Sequence, residues 1–143
     1  MAHFIFNFSG DGEAADKLLR SKMWGIASDE PHRDELGPGD LVLIYLAAPE
    51  RVFVGRTELA SEPRNWTSSD AYPGDSPSGV LLSQVEEWDP AVPMDDVVAR
   101  LDPTGSNPYV QANAKDGFQM GVVRITEHEY DSVLAIRRNA QAT

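Results

Sequence analysis

The sequence predicts an α+β fold, mainly β, in which a mixed or antiparallel sheet curls into a small barrel of about five to six strands flanked by helices. Two observations predict it. The strand-like segments are mostly joined without helical crossovers, and the helical segments cluster at the ends and the rim. With 143 residues, 41% of them hydrophobic, the chain can build one core. Because no repeat or linker interrupts it, we expect a single domain over residues 1–143.

The first strand and the first helix are predicted near the amino end. Residues 3–8 form a short aromatic and branched run, which is typical of a buried strand. From Glu13 to about Met23 the apolar residues recur at helical spacing, with acidic residues first and basic residues later. We therefore expect a helix that ends at Trp24.

The next two strands are predicted to form a hairpin. A turn over 37–40 precedes the continuous apolar run 41–46, which is typical of a strand covered on both faces. A short connection leads to the run 52–59, so the two strands are expected to be antiparallel. Gly55 within the second strand indicates a bulge or a close backbone approach.

The second half of the chain contains two long polar stretches, 61–79 and 102–117, which are predicted as loops. A loop as long as 61–79 inside a compact domain is usually functional or mobile. Residues 80–88 between them predict a strand.

The remaining elements are predicted from helix signals and one apolar run. Pro93 stands where a first helical residue would, ahead of a short amphipathic segment. Residues 121–125 predict the last strand, and the capping box Thr126–Glu129 predicts the start of a closing helix.

Composition excludes several classes of protein. The formal net charge of −11, with no basic arm, disfavours tight non-specific binding to duplex nucleic acid. The absence of cysteine removes disulfides, thiolate metal sites and thiol catalysis. The amino terminus has no secretory pattern, and no apolar stretch approaches the ~20 residues of a membrane span. We therefore expect a cytoplasmic protein that does not bind membranes.

Enzyme signatures are weak in this sequence. The stretch Gly10–Ala15 matches a dinucleotide fingerprint, but its acidic residues and the non-alternating elements that follow favour a turn and helix cap. The histidines His3, His32 and His128 have no metal-ligand spacing. No catalytic residue, metal or cofactor is predicted.

Aromatic and amide side chains in unusual places favour binding instead. Trp24 stands beside a glycine, Tyr45 lies in a central strand, and Trp66 lies in a long polar loop. Aromatic faces stack on nucleobases without requiring net positive charge. Asn7 carries both a donor and an acceptor, so it could read a base edge.

A family resemblance connects these residues. The segments that carry it keep their order along nearly the whole chain: FIFNFS at 4–9, MWGI at 23–26, GPGDLVLIY at 37–45, VGRTEL at 54–59 and GVVRITEHEY at 121–130. In this the sequence resembles the EVE domain family of the PUA-like superfamily, which is related to YTH and ASCH domains. The resemblance implies a curled β-barrel flanked by helices, with a non-catalytic pocket that accepts a modified nucleobase between aromatic walls.

The resemblance also implies which residues line this pocket. Trp24 matches the family's pocket tryptophan, Tyr45 matches the aromatic that ends the strand, and Asn7 and Ser9 match the end of the first strand. Trp66 of the loop is the candidate substitute for a tryptophan that members often carry before the later strand. We expect Trp24 and Tyr45 to converge on one slot at the barrel mouth.

The sequence departs from the family pattern at two points. Leu46–Ala47 follow Tyr45 where members often have His-Ser, and Pro77–Ser78 stand where a tryptophan is often found. Because flipping a base out of a duplex needs phosphate contacts, we hypothesise a local basic strip. The arginines expected to form this strip are Arg33, Arg51, Arg56 and Arg64.

The expected partner is modified DNA or RNA, or a free modified nucleoside. Two alternatives from other classes remain open: an ASCH-like hydrolase of modified nucleosides, and a protein-interaction module. The turn 37–40 lacks the lysine that the hydrolases carry nearby, which disfavours the first alternative. The oligomeric state is left open.

Overall fold

The computed structural model describes residues 1–9, 12–47, 50–74, 76–106 and 121–142, with side chains described up to residue 139. Within these ranges the longer elements are seven strands and three α-helices. The strands are β1 His3–Phe8, β2 Met23–Gly25, β3 Leu41–Leu46, β4 Val52–Leu59, β5 Arg64–Asn65, β6 Ser78–Pro93 and β7 Val122–Ile125. The helices are α1 Gly12–Ser21, α2 Met94–Leu101 and α3 Glu127–Ala142, and single 3₁₀ turns lie at Arg33–Glu35 and Ser68–Asp70.

The sheet is mixed and curled, as the sequence predicts. Six strands follow one another in the order β2-β6-β4-β3-β1-β7, and the two-residue β5 pairs with β6 beside this path. β1 and β3 are parallel, with Asn7 opposite Tyr45, and the other pairings are antiparallel. The parallel pair forms because α1 and β2 return the chain to the end of the sheet at which β1 began.

Three boundaries differ from the predicted ones. The first helix ends at Ser21, Lys22 has a left-handed backbone (φ 57°), and residues 23–25 pair with β6. Trp24 therefore lies on a strand and not at a helix end, because hydrogen bonds to residues 79–81 hold this segment extended. β6 begins two residues earlier than predicted and runs five residues further, so that Pro93 ends the strand and precedes α2.

The hairpin and the closing helix match their predictions. β3 and β4 are antiparallel, and the pairing of β4 with β6 shifts register next to Gly55. A Cβ at Gly55 would collide with the carbonyl oxygen of Glu86, so a glycine is needed for this close approach. The Thr126 amide donates to the Glu129 carboxylate (2.9 Å) and the Glu129 amide to the Thr126 hydroxyl (3.1 Å), which is the predicted capping box.

The sheet has a buried cluster of side chains on each face. One cluster, here called the α1 core, packs against α1 and includes Phe6, Trp24 and Ile44. The other, here called the α2–α3 core, packs against α2 and α3 and includes Tyr45 and Trp88. Alternate residues of β1 and β3 supply the two cores, since successive side chains of a strand point to opposite faces.

Two of the sequence predictions fall wholly or partly outside the described residues. The dinucleotide-like stretch begins at positions 10 and 11, and most of the predicted loop 102–117 lies in the undescribed range 107–120. Among the described helices, none combines the length and the apolar character that a membrane crossing would require.

Candidate functional site

Trp24 lies in the α1 core. Its ring is stacked near that of Phe6 (centroids 6.0 Å apart, 27° between planes) and meets the ring of Phe8 edge-on (5.6 Å, 66°). Only 4% of Trp24 is exposed. The indole therefore packs as a core residue between two first-strand phenylalanines.

Tyr45 lies on the other face of the sheet, in the α2–α3 core. It is fully buried, and its ring packs on that of Phe53 with centroids 5.0 Å apart. Burial raises the pKa of the Tyr45 phenol, although a hydrogen bond with Arg51 acts in the opposite direction. The structure thus separates Trp24 from Tyr45, and the slot expected between the two rings does not form between these faces.

The two polar residues of the first strand also take separate positions. Asn7 is opposite Tyr45 in the parallel ladder and shares its face, while its backbone amide donates to the carbonyl of Gly121 (2.9 Å). Ser9 follows the strand and is exposed. Of the residues expected to line one pocket, the structure brings only Asn7 and Tyr45 side by side.

Trp66 belongs to a separate aromatic pair in the segment 61–79. Its ring stacks on that of Tyr72, with centroids 4.9 Å apart and 21° between the planes. The segment is ordered by the two-residue pairing of β5 with β6 and by the 3₁₀ turn at Ser68–Asp70. Because the Trp66 amide also donates to the carbonyl of Pro77 (2.9 Å), the chain returns on itself here and holds both rings in place.

Two glycines make room for this pair on neighbouring strands. Gly25 of β2 is opposite Gly79 of β6. A Cβ at Gly25 would lie 2.5 Å from the Tyr72 hydroxyl, and a Cβ at Gly79 would lie 2.6 Å from a ring carbon of Trp66. The two rings therefore pack directly on backbone, which larger residues at either position would prevent.

A shallow cavity of about 290 Å³, wide open to solvent, lies beside the aromatic pair. This loop cavity is lined by Trp66, Thr67, Ser68, Ala71, Tyr72, Gly74 and Ser76. Its size is close to the lower end of small-ligand pockets, roughly 300–1,000 Å³. Its walls combine two flat rings with hydroxyl groups, which suits a planar heterocycle with polar edges.

The indole nitrogen of Trp66 is a donor without an acceptor. Nε1 is buried and has no hydrogen-bond partner among the residues that the structure describes. A buried N–H left unpaired costs free energy, and such groups in native proteins commonly mark a site for water or ligand. An acceptor atom on a ligand that reached Nε1 would recover this free energy.

Arg64 and Asp70 stabilise the loop next to the cavity through an ion pair and hydrogen bonds. The guanidinium lies 6.0 Å from the centre of the Trp66 ring and forms an ion pair with Asp70 (3.0 Å). Asp70 also accepts the Thr67 amide at 2.7 Å. That backbone hydrogen bond, followed by those from the Thr67 hydroxyl and Arg64, lowers the pKa of the Asp70 carboxyl.

The four arginines expected to form one basic strip divide between two regions. Arg51 and Arg56 lie on the side of the α2–α3 core, next to Tyr45 and Tyr130 respectively. Arg64 lies beside Trp66, and Arg33 donates to the carbonyl of Ile26 after β2 (3.3 Å). Three of the four face a carboxylate, with the shortest N–O distances to Asp95 (3.7 Å), Glu86 (3.2 Å) and Asp70 (3.0 Å).

No group of three or more histidine, aspartate or glutamate side chains suited to a metal ion is found within the described part of the chain.

The sequence analysis included Trp66 among the candidate site residues but missed Tyr72, Gly25 and Gly79. The signal that could have found them is the combination of a second loop aromatic with glycines in two predicted neighbouring strands.

Comparisons with known proteins identify the fold. Neither a protein-family model nor a curated protein matches the sequence. Among solved structures, human THYN1 in complex with 5-methylcytosine-containing DNA aligns over 96% of this chain and 98% of its own, at 14% identity and a TM-score of 0.66. The YTH domain of Zygosaccharomyces rouxii MRB1, in complex with N6-methyladenosine RNA, covers 96% and 86%, at 14% identity and a TM-score of 0.65.

An ASCH protein is also similar to this chain. A serine-to-alanine mutant of ZmASCH from Zymomonas mobilis aligns over 94% of this chain and 96% of its own, at 10% identity and a TM-score of 0.58. These likenesses confirm the predicted resemblance at the level of the fold: the chain shares the fold of THYN1, of the YTH domain and of the ASCH protein.

Proposed function

We propose that this protein recognises a modified nucleobase without acting on it chemically, and that the base lies in the loop cavity against Trp66 and Tyr72. The observation that carries the proposal is the stacked aromatic pair beside the loop cavity. The buried indole N–H of Trp66, which has no partner among the described residues, supports it. Two solved proteins with the same fold were determined with methylated DNA or methylated RNA bound. That shared fold supports the class of ligand.

The walls of the cavity match the two surfaces of a base. The rings of Trp66 and Tyr72 offer aromatic area to its face, and stacking contributes about 1–3 kcal/mol per base. Thr67, Ser68 and Ser76 offer hydroxyl groups to its polar edge. Ala71 adds an apolar side chain against which a methyl substituent would pack.

The composition of the cavity favours binding over catalysis. The described residues of its lining are hydroxyl, aromatic and small residues, and none of these described residues is a carboxylate, lysine or histidine that could act as a general base near neutral pH. Asp70, a carboxyl of the same loop, is held ionised by its bonds to Thr67 and Arg64. We infer that a bound nucleoside leaves the site unchanged.

The charge distribution favours a free nucleoside or a single strand over a base flipped out of a duplex. Flipping costs a few kcal/mol, which phosphate contacts must offset. Arg64 lies over the Trp66 ring of the cavity wall and Arg33 is bound to the carbonyl of Ile26, while Arg51 and Arg56 lie on the far face of the sheet. One local cation suits a ligand with few phosphates.

The experiment is a binding titration with the Trp66→Ala variant. Modified cytosine and adenine nucleosides, and short single-stranded oligonucleotides that contain them, are titrated at one stated salt concentration. We expect Trp66→Ala to lower affinity about 10- to 100-fold, since it removes one stacking partner. Trp66→Phe should lose less, because it keeps an aromatic ring for stacking while it removes the N–H donor and part of the ring area.

Tyr45→Phe is the matched control, because Tyr45 lies on the opposite face. We expect its affinity to equal that of the unchanged protein, and circular dichroism would verify that each variant is folded. A ligand that binds Trp66→Ala normally but fails to bind Tyr45→Phe would overturn the proposed location. Turnover of any nucleoside during the titration would instead support the hydrolase alternative.

A further inference from the structure

A second cleft lies on the α2–α3 side of the sheet, between α3 and the strands β4 and β6. Its volume is about 580 Å³, within the range of small-ligand pockets. Leu41 and Leu134 give it apolar surface. Its described lining shares no residue with the described lining of the loop cavity, so the two openings are separate.

Gln84 lines this cleft from a strained part of β6. Its backbone is left-handed (φ 51°), which is uncommon for a residue with a side chain. Arg56 pairs with Glu86 and Glu58 pairs with Ser83, so two steps along β4 match three along β6 and Gln84 lies in a bulge. Bulges redirect side chains, and backbone strain of this kind is often found at functional sites.

Arg56 and Glu86 compensate each other's charge in this cleft. One carboxylate oxygen of Glu86 accepts from Arg56 Nε (3.2 Å), and the other accepts from Trp88 Nε1 (2.8 Å). The hydrogen bond from Trp88 is the main cause that lowers the pKa of the Glu86 carboxyl, and the charge of Arg56 adds to it. Both oxygens of Glu86 are therefore engaged, and the pair adds no net charge.

Glu58 is the third charged residue of the described lining. It shares a face of β4 with Arg56, and its carboxylate has neither an ion pair nor a hydrogen bond among the residues that the structure describes. The described lining therefore carries one uncompensated negative charge, in a chain whose net charge is −11. Such a cleft attracts cations and repels anions.

We propose that this cleft binds a small organic cation, a primary ammonium with an apolar body. The ammonium donates to the Glu58 carboxylate and the Gln84 amide oxygen, and the body packs on Leu41 and Leu134. An ammonium has three donors and no acceptor, which suits two acceptor groups that have no other partner within the described ranges. This proposal does not depend on the proposed nucleobase site.

The test compares four probes by isothermal titration and thermal unfolding at matched ionic strength. Phenethylammonium carries the charge and an apolar body, phenethyl alcohol has a similar shape without the charge, phenylacetate has the opposite charge, and ammonium chloride has the charge without the body. We expect phenethylammonium to bind and to raise the Tm, and the other three to bind at least about tenfold more weakly. Equal binding of any of the three, or no binding of phenethylammonium, would overturn the proposal.

A charge variant with a matched control tests the role of Glu58. Glu58→Gln keeps the size of the side chain and removes its charge, so it should weaken phenethylammonium binding at least about tenfold. Glu13→Gln removes the same charge from α1, on the other side of the sheet, and should bind as the unchanged protein does. An equal loss in both variants would mean that the net charge of the chain, and not this cleft, attracts the probe.

Two further variants test the location and the strain. Leu134→Phe fills the cleft, so it should weaken binding without a change of charge. Gln84→Gly removes the amide and accepts a left-handed backbone, so it should raise the Tm of the free protein while it weakens binding. Unaltered phenethylammonium affinity in Glu58→Gln or in Leu134→Phe would overturn the proposal, and unaltered affinity in Gln84→Gly would overturn the part assigned to the amide.

Discussion

At the scale of single residues, a side chain's place depends on which face of the sheet it occupies. Trp24 and Tyr45 both look like pocket residues in the sequence, because each is a large aromatic beside a turn or strand end. The strand register assigns Trp24 to the face of Phe6 and Ile44, and Tyr45 to the face of Phe53. Alternation within β3 alone decides that Tyr45 points away from Ile44.

Trp24 is therefore expected to contribute mainly to stability. Trp24→Ala should lower the free energy of unfolding by about 3–5 kcal/mol, because it leaves a cavity between Phe6 and Phe8. Urea denaturation would measure this as a lower midpoint. Trp66→Ala, at a half-buried position, should cost less. An unchanged midpoint for Trp24→Ala would contradict the core assignment.

Gly25 is expected to matter for binding through Tyr72. In Gly25→Ala the new Cβ would lie 2.5 Å from the Tyr72 hydroxyl and 2.7 Å from the Ser76 Cβ. Both groups must shift, which should cost about 1–3 kcal/mol of stability and misplace the cavity wall. Nucleoside affinity should fall with it.

The double variant Gly25→Ala/Tyr72→Phe tests this cause. Removing the hydroxyl removes the nearest collision, so part of the lost stability should return. Stability that is unaltered in Gly25→Ala would show that the ring does not pack on this glycine.

At the scale of elements, residues 64–72 form a platform that carries Trp66 and Tyr72. At its start β5 pairs with β6. In the 3₁₀ turn Ser68–Asp70, the Asp70 carboxylate accepts a hydrogen bond from the Thr67 amide and forms an ion pair with Arg64. The ion pair is exposed, so its Coulomb energy is small. The contribution of Asp70 is to fix the turn that separates Trp66 from Tyr72.

Acid should loosen this platform through Asp70. Because the pKa of Asp70 in the folded protein is lower than its ordinary 3.8, its stabilising effect is present above that value and is lost as the pH falls through the lowered one. We expect the near-ultraviolet circular dichroism of the Trp66–Tyr72 stack to be constant from neutral pH to about pH 5 and to decline at lower pH.

Asp70→Asn is the control for this acid transition. The variant should show a weakened Trp66–Tyr72 signal already at neutral pH and a smaller change in acid. Trp66→Phe identifies the part of the signal that belongs to this pair. An acid transition of full size in Asp70→Asn would show that another carboxyl is responsible.

The sequence predicts elements whose signals are local and misses those that depend on distant pairing. Three features have a sequence signal that lies within a few residues: the apolar runs 41–46 and 52–59, the glycine at position 55 inside β4, and the capping box Thr126–Glu129. β2 is only three residues long and exists because β6 pairs with it, so the preceding helical spacing suggested that the helix continues to Trp24. The candidate site was predictable as a loop that contains Trp66. The position of Tyr72, its second aromatic wall, was not predictable, because it depends on packing against β2.

At the scale of the whole molecule, two openings lie at separate parts of the sheet. The loop cavity lies at the β2–β6 edge, and a cleft lined by Arg56, Glu86 and Tyr130 lies under α3. The arginines divide in the same way, three of the four pair with a carboxylate, and the chain carries a net charge of −11. Binding of nucleic acid must then depend on the base more than on the backbone.

This division predicts a shallow salt dependence for single-stranded ligands. For single strands the slope of log K against log salt is about −0.7 for each phosphate neutralised. We expect Arg64 to make the phosphate contact at the cavity, so a modified oligonucleotide should give a slope near −0.7, whereas a strip of all four arginines would give about −2.8. Titrations over a series of KCl concentrations would measure the slope.

Arg64→Ala should bring the slope close to zero, and Arg51→Ala, on the far face, should leave it unchanged. A slope near −2.8 that falls in both variants would mean that the polymer wraps around the sheet edge and contacts both faces.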